Sequence, residues 1–101
     1  GLRSHRGLVQ TLLHEYGHAV FEAYRVRILR RGGKRVFGDF DAEYPSDATC
    51  AFWRTCSRRK RGYVSGYARL HPLEDFAETF SYWVLGECRT KKALFIRDVL
   101  Q

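Results

Sequence analysis

His14, Glu15 and His18 lie within the run His14-Glu15-Tyr16-Gly17-His18, two histidines four positions apart with a glutamate directly after the first. On a helix, positions i and i+4 stand on one face, one turn apart, so both imidazoles point the same way. That pair suits a tetrahedral Zn²⁺, which accepts neutral imidazole nitrogens at about 2.0–2.1 Å and, in catalytic sites, takes three protein ligands and leaves its fourth position to water. Two ligands are present and a third must come from elsewhere. Glu15 would stand beside the metal-bound water as its general base, the ion lowering that water's pKa to about 7. The pattern therefore encodes hydrolysis as well as metal binding. The competing reading is an ordinary charged helix face. The motif fixes only three positions, and chance writes it in on the order of a few per thousand chains this short.

The motif needs a helix to carry it. Leu8, Val9, Leu12, Leu13, Tyr16, Ala19, Val20, Ala23 and Tyr24 recur at spacings of three, four and seven, which predicts a long amphipathic helix. A second helical run extends from Pro72 to Leu85, with proline near its first position and Gly86 just past its end. Glu74, Asp75 and Glu78 on this run are the candidates for the third ligand. Glu74 and Glu78 share a face, so one can bind the ion while the other accepts the free ring N–H of a ligand histidine. Phe76, Ala77, Phe80, Trp83 and Val84 would pack the run against the first helix. Acidic residues in a first turn are favoured by the helix dipole whatever their role. They gain meaning as ligands only because the histidine pair accompanies them.

From Tyr63 to Phe80 the chain reads YVSGYARLHPLEDFAETF. Following an HExxH helix, this block resembles the downstream motif of the bacterial zinc-binding metallopeptidases, and more distantly it is similar to the catalytic domain of anthrax lethal factor. Both are of the gluzincin type, with a glutamate as third zinc ligand. The resemblance covers about residues 8–24 and 63–85; the first block is shared with all zincins, and the second is much more specific. It implies a single zincin-like catalytic domain of the α+β class, mostly helical, with an active-site helix, a short strand or small sheet, and a second helix carrying the glutamate. It further implies His14, His18 and Glu74 as ligands of one catalytic Zn²⁺, Glu15 as base, Glu78 as the carboxylate behind a ligand histidine, Tyr67 as stabiliser of the oxyanion, and a protein or peptide substrate. Tyr67 has chemical support of its own, since a phenol at the cleft can donate to the negative oxygen of a tetrahedral intermediate. A packed aromatic is the alternative in a chain with six tyrosines. His71 either points at substrate or flanks the helix, because it immediately precedes a proline.

The chain's 101 residues, 45% of them hydrophobic, suffice for one domain with one core. There is no apolar run of eighteen residues and no charged-then-apolar leader, so neither a membrane span nor a signal peptide is expected. The chain opens on Gly1 and contains no methionine, which suggests a piece of a longer protein. Zincins place a small sheet before the active-site helix, and only seven residues precede Leu8 here. Cys50, Cys56 and Cys88 are odd in number and lack the two-residue spacing of a thiolate zinc site, which argues for a reduced, cytoplasmic protein, with a Cys50–Cys56 bridge left open.

Between the motifs, residues 25–41 read as a basic helix end, a glycine break and a short strand at Val36–Phe40. Pro45-Ser46-Asp47 can start a helix with Ala48 to Trp53 as its body, and Arg58 to Gly62 reads as a polar connection. Tyr63 to Tyr67 has strand composition. Thr90 caps a last helix, Lys91 to Leu100, with Phe95, Ile96, Val99 and Leu100 inward. The net charge of +7, concentrated at residues 25–35 and 58–61, suits nucleic acid, a membrane surface or an acidic substrate. A solvated basic surface is the simpler reading, since no nucleic-acid-binding motif accompanies it. A zinc metallopeptidase is thus the leading function; a zinc-stabilised non-catalytic domain and a basic nucleic-acid-binding module are the alternatives.

Overall fold

The first helix, α1, runs from Leu2 to Ala23, uninterrupted by proline, in the computed structural model, which describes residues 2–44 and 62–101. The helix expected at 48–53, most of the polar connection and the Cys50–Cys56 pair lie outside these residues. The face that α1 packs inward is His14, Gly17 and Phe21 with Val20 beside them, all buried. Leu8, Leu12 and Tyr16, which follow one another at the spacing of a helical stripe, are instead 58%, 60% and 62% exposed. They lie roughly half a turn round the helix from His14 and Gly17. The apolar periodicity is real, but it does not mark the packed face.

Tyr24 leaves helical geometry, and two short helices follow, α2 over Arg25–Arg30 and α3 over Gly33–Phe37. The strand expected at Val36–Phe40 does not form: Val36 and Phe37 are the last residues of α3, and Gly38 to Phe40 are irregular chain and turn. A lone strand leaves its N–H and C=O groups unpaired, whereas here Arg35 and Val36 donate to the Gly32 carbonyl and Gly38 to that of Lys34. The run Tyr63–Tyr67 is not a strand either. Ser65 Oγ accepts from the Ala68 N–H at 3.2 Å, closing a turn that leads into a 3₁₀ turn at Tyr67–Arg69. Among the described residues there is no strand.

Helix α4, Pro72–Val84, is specified at both ends. His71 is its N-cap, with Nδ1 accepting from the Leu73 N–H at 3.0 Å, and Pro72 holds the first helical position. At the far end, Gly86 adopts φ +78°; its N–H reaches the Trp83 carbonyl and that of Glu87 reaches Tyr82, which is a Schellman motif. Helix α5, Lys91–Leu100, begins at Thr90, whose hydroxyl accepts from the Ala93 N–H as expected. Arg27 and Arg31 donate to the carbonyls of Val99 and Asp98 at its C-terminal end, and Arg25 pairs with Asp41. Three arginines of the basic stretch at 25–35, Arg25, Arg27 and Arg31, thus tie parts of the fold together rather than serving only as solvated surface charge.

The main core joins Phe21 of α1, Phe37 of α3, Phe40, Phe76 and Phe80 of α4, and Ile96 and Val99 of α5. Val84 lies outside it, 48% exposed. The dominant pairing is α1 against α4, and it closes on Gly17. A Cβ built there would stand 2.9 Å from Ala77 Cα and 3.0 Å from the Ala77 carbonyl oxygen, so the two backbones touch at this glycine. No helix among the described residues is long and apolar enough to cross a membrane.

Candidate metal centre

Backbone contact at Gly17 brings the acidic face of α4 under the histidines on either side of it. His14 Nε2 lies 2.9 Å from Glu74 Oε1, His18 Nε2 lies 3.0 Å from the same oxygen, and the two ring nitrogens are 3.1 Å apart. Three ligand atoms from two helices form a nearly equilateral triangle. Ligands of a tetrahedral zinc at about 2.0–2.1 Å stand about 3.3 Å from one another, so a widening of a few tenths of an ångström admits the ion. The charge fits as well. Glu74 and Glu78 are both buried, and buried carboxylates require compensating positive charge.

Behind the triangle, His14 Nδ1 meets Glu78 Oε2 at 2.7 Å. With Nδ1–H donating to that carboxylate, the Nε2 lone pair is left for a metal, and the ring is held in one orientation. Glu78 is itself fixed: Gln10 Nε2 donates to Oε2 at 2.6 Å and Ser65 Oγ donates to Oε1 at 2.8 Å. Burial alone would lower the His14 pKa, but the bonds to Glu74 and Glu78 outweigh it and raise it to about 9. Glu74 is moved the opposite way; burial favours its neutral form, yet His14, His18 and Tyr44 hold it well below the usual carboxylate range. Glu78 is lowered for similar reasons.

Asp75, the remaining candidate ligand, faces elsewhere. Its carboxylate is 1% exposed and meets Lys92 Nζ at 2.6 Å, joining α4 to α5. Burial pushes it up to about 6 against the pull of Lys92. The reason is angular: one residue on from Glu74, Asp75 is turned roughly 100° round the helix.

A cleft of about 350 Å³ opens beside the triangle, lined by Gln10, Thr11, His14, Glu15, Tyr67 and Glu78. Glu15 is solvent-exposed there. The Tyr67 ring packs edge-on to His14 with centroids 5.1 Å apart. Burial and the adjacent Glu74 carboxylate, to which it hydrogen-bonds, push its phenol up to about 12, so it stays a proton-bearing donor at neutral pH. His71 is the helix flank, not a cleft residue: besides capping α4, its Nε2–H donates to the Ala42 carbonyl at 2.6 Å.

Three residues of this network carry no functional assignment from sequence. Gln10 precedes His14 by one helical turn, a spacing that could have marked it. Ser65 lies inside the block Tyr63–Phe80. Tyr44, whose hydroxyl donates to Glu74 Oε2 at 2.5 Å, stands thirty positions from its partner and has no local signal at all.

Fold and site together define a helical domain in which His14, His18 and Glu74 form a cluster that could hold a metal ion beside a cleft. The family described as "Putative zinc-binding metallo-peptidase" matches residues 3–94, and the chain belongs to it. No curated protein and no solved structure matches the chain significantly.

Proposed function

We propose that this chain is the catalytic domain of a gluzincin-type zinc peptidase, zincin-like in its active-site arrangement, with His14, His18 and Glu74 as ligands of one ion. The observation that supports this most strongly is the convergence of three ligand atoms at 2.9–3.1 Å from helices that meet at Gly17. When bound, zinc supplies a Lewis acid that polarises a carbonyl and lowers the pKa of water to about 7. Glu15, at the cleft, takes the proton of the attacking water and passes it to the leaving amine. Tyr67 donates to the oxygen that becomes negative as the scissile carbonyl turns tetrahedral. Glu78 keeps His14 in the tautomer that offers Nε2. Membership of the family points to protein or peptide substrates.

Elemental analysis after gentle purification is expected to find about one zinc per chain, and a chelator should abolish cleavage of a peptide library, with zinc restoring it. A protein that binds zinc but cleaves nothing would instead be a metal-stabilised domain; a metal-free protein would remove the basis of the reading.

The His14 environment makes zinc binding pH-dependent. Without metal its pKa is raised from 6.5 to about 9, so its ion pairs contribute stability that is complete below pH 6.5 and is lost as pH rises through 9. Zinc must displace that proton, so its affinity should rise about tenfold per pH unit across the same interval. Competition titrations at three pH values check this, and a flat profile would contradict it.

Tyr67→Phe keeps the ring and removes the donor. A loss of about 10²–10³ in kcat is expected, with zinc content and melting temperature near wild type. Unchanged kcat with lowered stability would make Tyr67 a packing residue.

A further inference from the structure

The segment Gly38–Tyr44 crosses the N-terminal end of α4 and touches it at successive points. Gly38 lies so close to Pro72 that an added Cβ would stand 3.1 Å from the proline Cγ. Ala42 accepts a hydrogen bond from His71 Nε2 at 2.6 Å. The Tyr44 ring stacks on the His71 imidazole, with centroids 4.1 Å apart and planes 10° from parallel. Because His71 Nδ1 accepts from the Leu73 N–H, its one ring proton belongs on Nε2, and the Ala42 carbonyl takes it. His71 is therefore fixed at both nitrogens and provides a rigid face for the phenol.

The hydroxyl at the end of that stacked ring donates to Glu74 Oε2 at 2.5 Å, while Oε1 of the same carboxylate faces both histidines. The two oxygens thus have separate tasks. We propose that Tyr44 is a positioning residue for the metal ligand Glu74, pinning Oε2 so that Oε1 alone is presented to the ion. The inference rests on the zinc-site reading above. Both tyrosines reach Glu74, but Tyr67 also lines the cleft beside Glu15, whereas Tyr44 is held on the His71 ring with its hydroxyl on Oε2. A free glutamate would have to lose side-chain freedom when it binds the ion; a carboxylate already held by a short charge-assisted hydrogen bond loses less. Partners of this kind behind a metal ligand are typically worth 10–100-fold in metal affinity.

The full chain and its Tyr44→Phe variant, which retains the stacking ring, are titrated with zinc against a chromophoric chelator. Both are also loaded with Co²⁺, and their visible absorption spectra compared. The expected result is a zinc Kd about 10–100-fold weaker in the variant and an altered cobalt spectrum, with the melting temperature of the metal-free protein unchanged. An equal Kd and an identical spectrum would overturn the role of Tyr44 and leave the zinc site standing. A weaker Kd matched by a fall in metal-free melting temperature would also overturn it, assigning Tyr44 to the packing of the segment. Failure of the unsubstituted chain to bind zinc would overturn the site reading, and this inference with it.

Discussion

Replacing Glu15 by glutamine is expected to leave one zinc bound per chain and to cut kcat/KM for peptide cleavage by about 10²–10⁴-fold. The carboxylate is exposed at the cleft and carries no packing role, so folding should not change. The ligand triangle is built from the residues on either side of it along α1 and from Glu74, so metal affinity should not change either. What the amide cannot do is accept a proton from water. Glutamine is nearly isosteric, so the loss would report the proton transfer alone. Retained turnover in the variant, measured on peptides that the unsubstituted protein cleaves, would place the base elsewhere.

Gly17→Ala is expected to lower the melting temperature and weaken zinc binding together. In an isolated helix this change stabilises, by about 0.5–1 kcal/mol, because glycine loses more backbone freedom on folding than alanine. At Gly17 the new methyl would stand 2.9 Å from Ala77 Cα and 3.2 Å from Phe80 Cδ1. The first of these contacts is with helix backbone and cannot rotate away. Overpacking of this kind costs about 1–3 kcal/mol, which exceeds the propensity gain. In a domain this size each kcal/mol is worth about 4–8 °C. The helices can relieve the clash only by separating, and their separation is what sets the 2.9–3.0 Å reach of Glu74 to the two imidazoles. Gly7 supplies an internal control: it lies on the same helix with nothing within 4 Å of its would-be Cβ, so Gly7→Ala should hold or raise the melting temperature. A Gly17→Ala variant more stable than its parent would show that the helices do not approach as described.

Much of this site is legible in the sequence, because its main parts are local. A histidine pair at i, i+4 and a glutamate pair at i, i+4 are fixed by the pitch of one helix each, and caps such as Pro72, Gly86 and Thr90 act within a turn of where they stand. What sequence does not decide is which way each helix faces. Leu8, Leu12 and Tyr16 have the spacing of a core stripe, yet the buried face is the one bearing His14 and Gly17, because backbone approach and a shared polar cluster choose it. The expected strands at Val36 and Tyr63 have suitable composition, but composition does not provide a pairing partner, and local hydrogen bonds to Gly32 and Ser65 serve instead. Only the fold separates the three acidic candidates, since Asp75 and Glu74 differ by a rotation whose outcome depends on Lys92 arriving from α5. Only the fold, again, brings Tyr44 to Glu74: thirty residues of chain carry no periodic signal, and the contact exists because the segment after α3 is anchored to the cap of α4.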